Sequence, residues 1–388
     1  GVRNGGTEHL DIVRRGNEGV IRARYADAEF FFKADTENKL ENFLPRLDTL
    51  TFQEQLGSML DKSKRLETLA PQIGERLQLA AVEMETVGRA AHLCKADLAT
   101  NMVVELTSLQ GMMGYEYAKR SGETEAVATA IVEHYYPQTK LPGDGLSQSG
   151  LILNLANRLD SLCGLFAVGK APTGSADPFA LRRDALSLVT ILLETETGFS
   201  LVEGLQLTAA LMPIEVSAES LAETITFVKR RLEGVLREEY DLPHDVVRAV
   251  LAEQGDNPWA ALLAARDLAV AVTHDNWDDT LNAYARCVRI VRGLEERYTV
   301  HPDRFTESAE QALVAAYQQA CANLSAEATM ADVVTAIREI LVDPINSFFD
   351  SVLVMDEDEA VRQNRLALLQ DIQDLTKGYA DFSELQGF

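Results

Sequence analysis

Cysteine is scarce and carries no pattern. Cys94, Cys163, Cys287 and Cys321 lie far apart and form no CxxC pair, so neither a zinc knuckle nor a disulfide framework is signalled; they read as reduced, packed thiols. No apolar run approaches the roughly 18 residues that a spanning helix needs. The start, GVRNGGTEHLD, lacks both a Met and a basic-then-apolar targeting signal, so a soluble, cytoplasmic protein is expected, present as a piece of something longer. With 24 Gly and 11 Pro in 388 residues, collagen-like and low-complexity classes drop out. There is no GxxxxGK[ST] loop and no strand-linked GxGxxG, so nothing is predicted to cradle a nucleotide. No GxSxG elbow is present, and no cysteine has a His beside it in sequence, so no self-contained nucleophile is predicted either. Basic residues are also few. Lys and Arg number 36 against 60 Asp and Glu, a net charge of -24, which repels polyanions unless Arg residues gather on one face.

What is present is helical spacing. At 388 residues, 46% hydrophobic and 25% charged, the chain is large enough for two or three domains with packed cores. Leu77, Ala80, Ala81, Met84, Val87 and Ala91 recur at three and four residues, as do Leu151, Leu155, Leu159, Leu162 and Phe166. A third stripe runs through Val361, Arg365, Leu368, Ile372 and Leu375. Strand-like alternation is rare, so the fold class is mainly all-α. Breaks fall at Ser121 to Glu123, Tyr136 to Leu146, Gly169 to Pro178, Met212-Pro213 and Asp256 to Pro258. The expected division is a lead-in segment at 1–44, a helical domain at 45–205, a helical connector at 206–279 and a C-terminal helical domain at 280–388. Asp177 followed by Pro178 predicts a helix over Phe179 to Leu193. Thr329 with Asp332 predicts a capping box, and Thr306 or Ser308 should open a helix through Leu313, Tyr317 and Cys321.

Candidate chemistry is sparse. Asp61 to Leu69, DKSKRLETL, has a superficial likeness to the KMSKS loop of ATP-using ligases. Without a Rossmann core or a His-rich partner motif, it is expected to be a solvated helix terminus. His244-Asp245 and His274-Asp275 sit in polar stretches where Asp is expected to cap a helix. His92, Asp97, His134 and Asp160 follow the order of the metal ligands in an HD-type phosphohydrolase. Yet the adjacent His-Asp pair is replaced by a run in which Lys95 takes the place of a divalent ion. Its ammonium can replace charge but cannot activate water. A degenerate HD-like domain with no metal is therefore expected, and a metal-dependent phosphohydrolase on those four residues is the alternative.

Among the basic clusters, Lys229, Arg230 and Arg231 splay around a helix as a solvated face. Arg286, Arg289 and Arg292 recur every third residue and share a helical stripe, with Arg297 beyond, suited to phosphates. Arg182 and Arg183 fall in the first turns of the helix after Asp177-Pro178, where they add charge to an anion-attracting N-terminus.

Four long segments carry a family likeness: GNEGVIRARYADAEFFFKAD (16–35), KADLATNMVVELTSLQGMMGYEYA (95–118), PTGSADPFALRRDAL (172–186) and FFDSVLVMDEDEAVRQNRLALL (348–369). In this order they closely resemble signature stretches of the β-subunit of bacterial heterotetrameric glycyl-tRNA synthetase, over its C-terminal half. The resemblance implies a degenerate HD-like domain, a helical connector and an anticodon-binding helical bundle. It implies an aminoacyl-tRNA synthetase subunit that binds tRNA(Gly) while a separate α-subunit, two α with two β, holds ATP and Mg and makes glycyl-tRNA. No cofactor is expected in this chain, and neither DNA nor a membrane among its partners. Within that frame Arg286, Arg289 and Arg292 are candidates for anticodon-stem phosphates, and Asn364 and Arg365 for anticodon base edges. Lys95, Arg182 and Arg183 are candidates for contacts nearer the acceptor arm. Phe348 and Phe349 are expected to pack in the core more than to stack on a base. A non-catalytic scaffold for subunit assembly is the remaining alternative.

Overall fold

The computed structural model describes residues 9–137, 145–325 and 327–388. The expected break at Tyr136 to Leu146 therefore lies largely outside the described residues. Among those described there are seventeen α-helices and one two-stranded antiparallel hairpin, and no helix is long and apolar enough to cross a membrane. The chain divides into two compact units. One comprises 1–188 with 203–224, the other 189–202 with 225–388. The stretch expected as a separate connector is thus shared between the two units.

The first unit holds α1 (Leu10–Thr36), the hairpin β1 (Thr51–Gln53) and β2 (Gly57–Ser58), α2 (Met59–Arg76), α3 (Ala81–Leu93), α4 (Asn101–Glu105), α5 (Met112–Arg120), α6 (Glu125–Glu133) and α7 (Gln148–Ala167). Its centre is α7, which packs against α2, α3 and α6. Leu151, Leu155, Leu159 and Leu162 are all buried there, as their spacing predicts. The stripe expected from Leu77 to Ala91 is interrupted. Gln78 takes a left-handed conformation, φ 55, and α3 begins only at Ala81. Ala80 and Ala81 are exposed at that turn, and only Val87 and Ala91 of the stripe are buried.

Asp35 ties α1 into this unit. Its carboxylate accepts from the backbone N–H groups of Asn101 and Met102, both at 2.9 Å, and from the Tyr117 hydroxyl at 3.0 Å, capping α4 from a distant helix. Phe32 rests beside Tyr117 and under Arg120. From Leu10 to Asp27, by contrast, every residue of α1 is exposed.

Helices α8 (Leu181–Glu194), α9 (Leu201–Ala209) and α10 (Ala218–Glu238) contribute to both units. Asp177 does cap α8, accepting from the N–H groups of Leu181 and Arg182 at 2.8 and 2.9 Å. The helix starts later than predicted because Ala180, at φ 56, interposes a turn between Pro178 and Leu181.

The second unit adds α11 (His244–Gln254), α12 (Pro258–Ala271), α13 (Trp277–Val291), α14 (Ser308–Asn323), α15 (Met330–Ala336), α16 (Val342–Ser351) and α17 (Glu359–Gln373). Asn257 caps α12 ahead of Pro258, and the Thr329–Asp332 capping box opens α15 as predicted. Helix α14 starts at Ser308 behind a Glu307–Glu310 box. Neither Asp of the two His-Asp pairs is an N-cap: Pro243 and Asn276 hold those positions. Helix α17 packs on α13, burying Leu368 and Ile372.

Candidate nucleic-acid interface

The charged residues singled out by sequence fall into two groups, one internal and one exposed. The internal group fills the heart of the first unit. Lys95 is 3% exposed, and its Nζ lies 2.7 Å from His134 Nε2, 3.3 Å from the Tyr135 hydroxyl and 4.4 Å from the centre of the Tyr135 ring. Burial lowers the Lys95 ammonium to about 8. Burial, reinforced by that ammonium, holds His134 well below the ordinary imidazole value. The pair is therefore a charged Lys donating to a neutral His, whose Nδ1 faces the Ile131 carbonyl. Asp97 accepts from the Gly111 N–H at 2.6 Å, and burial raises it to about 6. Gly111 has φ 80, and a Cβ on it would stand 2.5 Å from the Tyr135 ring, so the turn that supplies this N–H requires glycine.

Asp160 lies elsewhere on α7. It meets Lys62 Nζ at 2.9 Å and Arg65 Nε at 2.6 Å, and all three side chains are buried. Burial pushes its carboxyl up, but the two cations outweigh that and hold it below the usual carboxylate range. The segment 61–69 is thus no solvated helix terminus; Lys62 and Arg65 face inward from α2 as partners for Asp160. His92 is at the surface, bonded to Glu67 at 2.9 Å and Glu41 at 3.1 Å. The alternative metal set of His92, Asp97, His134 and Asp160 is therefore not gathered. His92, His134 and Asp160 are committed to other partners, Asp97 keeps one buried oxygen without a partner, and among the described residues no three His, Cys, Asp or Glu are placed to hold a metal ion.

These facts revise the nominations near the acceptor arm. Lys95 is sealed inside the unit, where it cannot reach a phosphate. Arg182 remains half-buried at the surface, donating to the Gly174 carbonyl at 2.7 Å, and Arg183 is exposed beside it.

Further exposed candidates lie in the second unit. Arg286 and Arg289 lie on the last turns of α13, whereas Arg292 is its C-cap in an extended conformation, so the expected helical stripe ends before it and the three have different surroundings. Arg286 is held at 3.1 Å by Asn346 and at 3.4 Å by Asp350, and lies 4.5 Å over the Phe349 ring. Arg289 and Arg292 are exposed. Among the described residues neither has a carboxylate within 4.0 Å; their nearest aromatic neighbour is Phe388, with ring-centre distances of 5.4 and 5.8 Å. Such a pair of cations is free to meet phosphates.

Asn364 and Arg365 do not face outward. Asn364 accepts from the His301 N–H at 2.7 Å and donates to the His301 carbonyl at 3.2 Å. Arg365 is bonded to Glu310 at 2.6 Å, the Leu353 carbonyl at 2.9 Å and Asp356 at 2.7 Å. Both are internal ties of the bundle, with no edge left for a base. Phe348 is fully buried, in line with the core packing expected of it. Sequence reasoning missed Phe388, whose only local signal is an exposed-looking aromatic after a polar stretch.

Comparison with known proteins places the chain. A model of the family described as glycyl-tRNA synthetase beta subunit matches residues 1–252. The chain belongs to that family. A second match, to a DALR anticodon binding domain, covers residues 280–379 and so contains the α13 arginines. The chain is 40% identical over 400 residues to the glycine–tRNA ligase beta subunit of Moorella thermoacetica, covering 99% of this chain and 56% of that protein. It is 35% identical over 387 residues to the Bacillus subtilis beta subunit, covering 99% and 55%. Against the chloroplastic/mitochondrial glycine–tRNA ligase 2 of Arabidopsis thaliana it is 39% identical over 391 residues, covering 100% and 36%. The chain therefore spans about half the length of the bacterial beta subunits it matches.

Proposed function

We propose that this chain is a tRNA-holding portion of a glycine–tRNA ligase beta subunit. It grips tRNA(Gly) so that the 3′ end reaches a catalytic pocket on an α-subunit, in an assembly of two α and two β chains. There ATP and Mg would serve glycine activation, and no chemical step is assigned to residues of this chain. Its contribution is geometric: contacts far from the reacting atoms fix the substrate's position, and that binding energy is expressed as rate at the distant centre.

One observation carries this reading. In a chain of net charge -24, Arg289 and Arg292 stand exposed without carboxylate partners among the described residues, within the span that matches an anticodon-binding domain. Elsewhere the surface acids repel RNA, so binding concentrates where local cations are uncompensated. Arg182 and Arg183 are the second, weaker site in this reading.

The test is filter binding of tRNA(Gly) across a salt series, with Arg289→Ala and Arg292→Ala. Each substitution is expected to weaken binding and to reduce the salt slope by about one. Unchanged affinity and slope in both variants would remove this surface from the interface.

A further inference from the structure

Among the described residues nothing covers α1 from Leu10 to Asp27, yet its sequence is that of a helix with one face to bury. At about 3.6 residues per turn, Leu10, Val13, Asn17, Val20, Ile21 and Arg24 share one side. That side continues into Ala28, Phe31 and Asp35, where α1 packs against α4 and these residues are partly or fully buried. Along the free part, Leu10, Val13, Val20 and Ile21 are 49, 40, 63 and 54% exposed. Asp11, Arg15, Glu18 and Arg22 lie away from this face and alternate in sign, as on a solvated surface. The free part is also a weak helix by itself. Gly16 and Gly19 lie inside it with no neighbouring atom within 4 Å of where a side chain would begin, so no close packing offsets their flexibility. Val13, Val20 and Ile21 are β-branched and favour helix less than alanine does, and an isolated helix of this length is marginal in water.

We propose that this face of α1 is the seat of a part of the beta subunit that lies outside these 388 residues. The inference rests on membership of the family and not on the tRNA-binding reading. Length and area both favour such an occupant. The match to the Moorella thermoacetica beta subunit takes in 99% of this chain but only 56% of that protein, so a large further part of a beta subunit exists to be seated. The free face is a strip about 27 Å long and about 10 Å wide, well short of the roughly 800 Å² per partner of a standard interface between separate chains. A segment of the same polypeptide is held at high effective concentration and can occupy a strip too small to retain a free partner.

The strip also sets the chemistry of what covers it. The ion pairs of α1 are Arg14 with Asp11 and Glu18, and Lys33 with Glu29. Among the described residues Arg24 has no carboxylate within 4.0 Å, although it stands on the apolar side. Covered by aliphatic groups alone its guanidinium would be desolvated and unpaired. The cover therefore brings a carboxylate to Arg24 and apolar side chains to Val13, Val20 and Ile21. RNA is a poor occupant, because phosphates could meet Arg24 but would leave the aliphatic side chains in water.

The experiment is amide hydrogen exchange over residues 10–27. It compares this chain alone, the full-length beta subunit, that subunit with its α-subunit, and that subunit with tRNA(Gly). In the chain alone these amides should exchange fast, and in the full-length beta subunit they should slow by about 10-fold or more, while those of α7 stay protected in both. Val20→Asp in the full-length subunit should return 10–27 to fast exchange without exposing α7. The same substitution should leave the melting of this chain unchanged, since Val20 is exposed there. Arg24→Glu should act in the same direction, with Arg24→Lys retaining protection. Protection that appears only on adding the α-subunit or tRNA would assign the face to that partner and overturn the proposal. Fast exchange in every state, or slow exchange in the chain alone, would overturn it as well. None of these outcomes depends on whether the arginines of α13 bind tRNA, so the two readings fail separately.

Discussion

Lys95 donates to His134 across 2.7 Å in the buried centre of the first unit, so a cation and a neutral imidazole occupy a place where sequence order suggests a metal. The ammonium stays charged near neutral pH because its value of about 8 still lies above 7. It is stabilised by the imidazole nitrogen and the Tyr135 ring in place of a carboxylate.

Lys95→Met makes the first prediction. In the unfolded chain a lysine titrates near 10.4, above its folded value of about 8. Between those values the unfolded state binds the extra proton, so raising pH favours the folded protein through this group. The stability difference between wild type and Lys95→Met should therefore move toward the wild type by about 2–3 kcal/mol as pH rises from roughly 8 to 10. Urea melts of the two proteins at matched pH measure it. A flat difference would mean that Lys95 is not desolvated as described. Affinity for tRNA should not change, because the side chain has no access to solvent.

Asp160→Asn should be far more damaging. It leaves Lys62 and Arg65 buried with no carboxylate between them, and losing one member of a buried ion cluster costs about 3–5 kcal/mol. Thermal unfolding would show it; a loss below about 1 kcal/mol would indicate that water reaches the cluster.

Arg365 and Arg289 should separate stability from binding. Arg365→Ala abandons buried Glu310 and frees the Leu353–Asp356 loop, and a cost of about 3 kcal/mol is expected. Arg289→Ala, at an exposed position, should leave the melting curve within about 0.5 kcal/mol of wild type while weakening tRNA binding. Equal effects of the two substitutions on both readouts would contradict the assignment of one to the interior and the other to the surface.

Much of the architecture is legible without coordinates because it depends on local periodicity. The buried row of α7, the Thr329–Asp332 box and the break at Asp256 to Pro258 all follow from neighbours within one helical turn. Charged residues were harder. Lys62 and Arg65 have the composition of a solvated terminus, and only Asp160, about a hundred residues away in sequence, makes them internal. Asn364 and Arg365 failed for the same reason, since their partners His301 and Glu310 come from another part of the bundle.

Asp35 has one more mechanical effect. Helix α1, with its 27 residues, is a rod of about 40 Å fastened to the first unit near one end and bare from Leu10 to Asp27. The four hydrogen bonds on one carboxylate therefore fix the direction in which that rod leaves the first unit.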